Sequence, residues 1–138
     1  MEEFQVDESR WPLVVVTYPA VIEMERYRRL FRQYASMSRR GDKIGYLIDM
    51  RSFNPLTAPA ALRKAAAETF AENRKVLLEA TLCEARVVEN SLTSGILTAF
   101  DWLTGQKWPC ANFTTMPDAE RWVLGKLHAA GARQSAHA

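Results

Sequence analysis

The chain is 138 residues long, 48% hydrophobic and 25% charged, with 18 Lys and Arg against 16 Asp and Glu for a net charge of +2. That length supports one domain whose core is large enough to fold without disulfides or a structural metal. The average composition excludes disorder, collagen-like repeats and coiled coil, and the small charge surplus argues against generic nucleic-acid binding.

The start of the chain, Met1-Glu2-Glu3-Phe4, is acidic and lacks the basic and apolar regions of a signal peptide. The longest unbroken apolar run, residues 13–16, falls far below the ~20 residues that span a bilayer. The expectation is a soluble, cytoplasmic protein with no membrane insertion. Residues 4–7 alternate, 8–10 are polar, and 11–18 are rich in β-branched side chains. This pattern predicts a β-hairpin with its turn at 8–10 and a largely buried second strand. Across 21–40, Val21, Met24, Tyr27, Leu30, Phe31 and Tyr34 recur every three or four residues, with Glu23, Arg26, Arg29 and Arg32 opposite. That is an amphipathic helix, and Gly41 suits the left-handed position after it.

Residues 43–50 predict a short apolar strand that ends at Asp49. After a loop holding Asn54-Pro55 and Ala58-Pro59, a long Ala-rich helix is expected from Thr57 or Ala58 to about Leu82. Residues 85–89 read as another strand. Asn90 or Ser91 caps a third helix with the stripe Leu92, Ile96, Phe100 and Leu103, stopped by Gly105. A last strand covers 110–114. Pro117 or Asp118 opens a final helix carrying Ala119, Trp122, Val123 and Leu127. Residues 131–138 are expected to be a flexible tail, which leaves 1–130 as one domain. Strands that alternate with helices pair in parallel through right-handed crossovers. The predicted architecture is therefore α/β, an α+β sandwich. It has a five-stranded mixed sheet, an opening antiparallel hairpin and four helices.

Three stretches also resemble a known family. Tyr46-Leu47-Ile48-Asp49-Met50 is similar to the central strand of STAS and SpoIIAA-like domains. Arg86-Val87-Val88-Glu89-Asn90-Ser91-Leu92, continued by Leu97 to Leu103, is similar to bacterial STAS-like or CRAL-TRIO-like domains whose function is largely unassigned. So is the ending Trp108-Pro109, Phe113 and Asp118-Ala119-Glu120-Arg121-Trp122. The resemblance spans residues 4–130 and implies a SpoIIAA-like fold and a regulatory protein partner. STAS anti-sigma antagonists carry an Asp-Ser-Ser-Gly motif with a phosphorylated serine after the central strand. Here that region reads Arg51-Ser52-Phe53-Asn54-Pro55-Leu56-Thr57-Ala58-Pro59, which lacks the motif although Ser52 and Thr57 stand nearby.

Open α/β sheets bind ligands beyond the carboxyl ends of their parallel strands. There the sequence places Asp49, Arg51, Ser52, Asn54, Thr57, Glu89, Asn90 and Ser91, with Ser94 and Thr115 close by. Helix N-termini at Thr57 and Ser91 offer backbone donors to an anion, and Arg51 offers a bidentate clamp. The plainer reading makes Asn90, Ser91 and Thr57 helix caps and Arg51 a solvated loop residue. Asp49 with Glu89 is a candidate carboxylate pair for acid–base work, against loop capping or pairing with a nearby Arg.

Cys83, read as the end of a helix, and Cys110, read as the opening of a strand, are expected to be reduced thiols in the core. His128 and His137 lie near the C-terminus, and no paired Cys/His spacing calls for zinc. No nucleotide-binding, metalloprotease or nucleophile-elbow motif is present, so no enzyme and no cofactor is expected. The basic and aromatic run at 25–32 is either a solvated helix face or a contact for phosphate or an acidic partner. Trp102 and Trp108 are either core residues or an exposed patch at a protein interface.

The leading expectation is a non-enzymatic regulatory module that binds a protein partner, with a homodimer or a small anion as further options. The alternative is a small-ligand or lipid-binding domain of the CRAL-TRIO-like kind, which requires an apolar pocket between sheet and helices. An enzyme using Asp49, Arg51 and Glu89 requires those three side chains to converge.

Overall fold

The apolar runs of the sequence become the middle of a sheet. The computed structural model describes residues 3–105 and 108–136. Its strands are β1 (Gln5–Arg10), β2 (Leu13–Thr17), β3 (Ile44–Asp49), β4 (Thr81–Val87) and β5 (Cys110–Phe113). They lie side by side in chain order, β1 antiparallel to β2 and the rest parallel. The helices are α1 (Met24–Ser38), α2 (Ala60–Ala80), α3 (Ser91–Thr104) and α4 (Met116–Ala136), and a 3-10 turn covers Pro55–Thr57. This is the α/β architecture expected from the sequence, with a five-stranded mixed sheet and four helices.

Right-handed crossovers between strands that add in one direction put every connecting helix on the same face. So α1, α2 and α3 share one face, and α4, which connects to no further strand, covers the other. Residues alternate along each strand accordingly. Val14, Val16, Tyr46 and Ile48 pack with Tyr27, Leu30, Phe31 and Tyr34 of α1 and with Phe70 and Leu77 of α2. Leu13, Leu47, Cys83, Ala85 and Val87 pack with Ala119 and Val123 of α4. Helix α4 lies close over Gly45, where a Cβ would stand 2.7 Å from Val123 Cγ1. Only a residue with no side chain fits under the helix there.

Several boundaries differ from the sequence expectation. The hairpin turns at Trp11 and Pro12, and residues 8–10 belong to β1. Their polarity reflects an edge strand facing water, which a turn also shows. Helix α1 begins at Met24 after Glu23, leaving Val21 in the preceding loop and 68% exposed. Val21 matches the helical spacing without belonging to the helix.

Helix α2 ends at Ala80, so Cys83 lies on β4 and not on the helix. No Gly or Pro marks that junction, and the apolar pattern runs straight through it. The final helix continues to Ala136, past the Gly131 where the tail was expected. One Gly costs a helix about 1 kcal/mol, which the surrounding alanines tolerate. Asn90 caps α3 and Gly105 ends it at φ +68°, both as expected.

Candidate functional site

The strand order reverses nowhere, so the sheet has no switch point to open a crevice at its carboxyl edge. The residues expected there are mostly occupied locally. Arg51 clamps Asp49, its Nε and Nη2 donating to the two carboxylate oxygens at 2.9 and 2.8 Å. The Arg51 hydrogen bond holds the Asp49 carboxyl below its ordinary range. Asn54 accepts from Leu56 N, and the Thr57 hydroxyl donates to Asn54 O, so both stabilise the 3-10 turn. Asn90 accepts from Thr93 N as the cap of α3. Ser52, Glu89 and Ser91 are exposed. Glu89 joins neither Asp49 nor Arg51, so that trio does not converge.

A partly covered cavity lies elsewhere. It measures about 160 Å3 and lies between the sheet and helices α1, α2 and α3. Its wall takes Ile48 and Met50 from the central strand and its end, Phe31 from α1, Leu62, Ala66 and Phe70 from α2, and Ile96 and Leu97 from α3. All four tyrosines of the sequence, Tyr18, Tyr27, Tyr34 and Tyr46, line it. Trp108 lines it too, half-buried, with its ring centroid 5.8 Å from that of Phe70. Trp108 is therefore part of the cavity wall. The side chains of Trp102, Phe100 and Leu103 lie outside the described residues.

Four charged side chains line this largely apolar wall, the exposed Arg63 and an inner group of Glu84, Arg86 and Asp101. Arg86, 5% exposed, stands two residues after Glu84 on the same face of β4. Its Nη1 and Nη2 donate to the carboxylate of Asp101 on α3 at 2.9 and 2.5 Å. Its Nε donates to Asn112 Oδ1 at 2.9 Å, and Glu84 Oε2 lies 3.6 Å from that nitrogen. Asn112 in turn donates to Ser94 Oγ at 2.8 Å, tying β5 to α3. Burial works against the Arg86 charge, and the Glu84 and Asp101 carboxylates more than offset it, so its pKa is raised.

The tyrosines respond to the same surroundings. Burial drives the hydroxyls of Tyr18, Tyr27, Tyr34 and Tyr46 well above their ordinary pKa of 10.0, and the Glu84 charge adds to the rise. The hydroxyls of Tyr34, Tyr46 and Thr81 are buried with no hydrogen-bond partner.

The thiols are on opposite faces. Cys83 packs against the α4 side, where burial pushes it from 9.0 up to about 11. Cys110 is paired in register with Glu84, on the cavity side, and burial raises it as well. His128 is exposed on α4. Among the described residues no group of three or more His, Cys, Asp and Glu could hold a metal ion. Among them, too, no helix is long and apolar enough to cross a membrane. The basic face of α1 is laced by ion pairs, Arg26 with Glu23 and Arg28 and Arg32 with Glu25.

Sequence reasoning passed over Glu84, Arg86 and Asp101 as a group. One signal was available: two charges at i and i+2 in a strand that neighbours cover on both faces. Placing residue 84 at a helix–strand junction hid it. No family model, no curated protein and no solved structure matches the chain.

Proposed function

We propose that this protein binds a small organic molecule in the cavity between its sheet and helices α1–α3, by binding rather than catalysis. The cavity itself carries the reading: it is apolar, aromatic and fitted with a few fixed polar groups, the usual make-up of a small-molecule site. Its size sets the scale of the ligand. An apolar cavity of roughly 150 Å3 accepts benzene, so about 160 Å3 suits one ring rather than a lipid chain. Two thiols raised by burial and an Asp49 carboxylate held by Arg51 give no activated nucleophile or free base.

The test is a ring-compound screen by protein-detected NMR. Binders are expected to shift resonances of Ile48, Leu62 and Leu97, and Ala66→Leu, which fills the space, is expected to abolish those shifts. Shifts confined to the exterior, or unaffected by Ala66→Leu, would rule the site out.

A second reading, a protein-interaction module of the STAS-like kind, draws on Leu56 and Leu92. They are 60% and 61% exposed, on the 3-10 turn and the start of α3, which pack together. It predicts that Leu56→Glu and Leu92→Glu release a partner copurifying from native lysate while leaving ring-compound binding intact.

A further inference from the structure

Resting on the ligand-binding reading above, we infer that the cavity selects an uncharged ring compound carrying an oxygen, held at the Tyr34 and Thr81 hydroxyls. The charges on the wall are already matched to one another. Arg86 bonds both oxygens of Asp101 and the Asn112 side chain, with Glu84 at 3.6 Å. Arg63, the remaining charged lining residue among those described, is exposed to solvent. A charged ligand would lose its hydration and meet an internally compensated network.

What the wall leaves unmet is neutral. Tyr34 and Thr81, with Tyr46 beside them, are each 6% or less exposed, line the cavity, and have hydroxyls with no partner. A buried hydroxyl without a hydrogen bond is costly, and a hydroxyl both donates and accepts, so a ligand hydroxyl or carbonyl oxygen satisfies it. The two also share one end of the cavity. Thr81 opens β4 beside Ile44, and Tyr34, in the last turns of α1, packs edge-on to Tyr46 with ring centroids 5.1 Å apart. Apolar side chains of Phe53, Ile96 and Leu97 line the cavity as well.

Four probes of similar size separate the alternatives: benzyl alcohol, toluene, benzylammonium and benzoate, each titrated into the full chain and followed by NMR. Benzyl alcohol is expected to bind tightest, with Tyr34→Phe and Thr81→Val each lowering its advantage over toluene by roughly three- to tenfold. Both substitutions remove an unpaired buried hydroxyl at nearly constant shape, so the variants are expected to fold. Toluene binding as well as benzyl alcohol, or an advantage unmoved by both substitutions, would overturn the role of the hydroxyls. Tightest binding by benzylammonium or benzoate would overturn neutrality while leaving the ligand site in place. No binding by any probe would overturn this inference and the ligand site together, with water satisfying Tyr34 and Thr81.

Discussion

The two faces of the sheet are built from alternate residues of the same strands, yet they solve different problems. The α4 face uses small side chains, Gly45, Ala85 and Ala119, so that the helix settles onto the strands. The α1–α3 face uses large ones, four tyrosines with Phe31 and Phe70, and three separate helices that do not close completely over them. Small residues let backbones approach and fill space. Large rings bridging several helices leave space, and the charged group of Glu84, Arg86 and Asp101 stands in it.

The sharpest way to break the tyrosine face is alkali. In the fold every tyrosine is held protonated by burial, whereas in the unfolded chain each ionises at its ordinary pKa of 10.0. The stabilisation is fully present below that value and is lost as pH rises through it toward the raised folded values. Tyrosinate absorbance is expected to appear in one cooperative step that coincides with loss of circular dichroism. Four stepwise titrations within a folded protein would contradict it. Cys83 adds to the loss, its own contribution fading between 9.0 and about 11.

Next in size is Arg86→Leu, which removes the cation that pairs with the Asp101 and Glu84 carboxylates on the cavity wall. Breaking a buried pair this way costs about 3–5 kcal/mol, to be read from urea denaturation. The matching break on the other face is Gly45→Ala, expected to cost about 1–3 kcal/mol through the clash with Val123. Pairing it with Val123→Ala should recover part of that loss, which a double-mutant cycle measures. Away from both faces, Asn90→Ala should cost about 1 kcal/mol as a lost helix cap. Ser52→Ala and Glu89→Gln should stay within about 0.5 kcal/mol, as exposed positions do.

The sequence disclosed the fold more fully than the site, for a physical reason. Periodicity reports which residues face inward, and the inward residues of β2, β3 and α1 are continuous enough to place each element. Gly105 and Asn90 ended and began helices through local chemistry that any neighbourhood would show. The site depends on residues far apart in the chain: Tyr34 on α1, Thr81 and Arg86 on β4, Asp101 on α3 and Asn112 on β5. Each alone fits an ordinary role. Their meeting is a property of the crossovers, and so is the space between them. The loop residues Asp49, Arg51 and Asn54 attracted attention because polar side chains at strand ends look available. Here each serves its own turn or a neighbour two residues away.

The chain-order sheet also bears on how the molecule is made. Each strand pairs with the one synthesised just before it, so β1 to β4 and the helices between them can assemble as the chain emerges. Helix α4 is the exception. It follows β5 and packs on β2, β3, β4 and β5, of which the first three are completed much earlier. Until it docks, Leu13, Leu47 and Val87 form a bare apolar strip across the middle of the sheet. The nascent protein is therefore most prone to aggregation between the completion of β5 and the docking of α4, and a chain stopped at Thr115 keeps that vulnerability permanently.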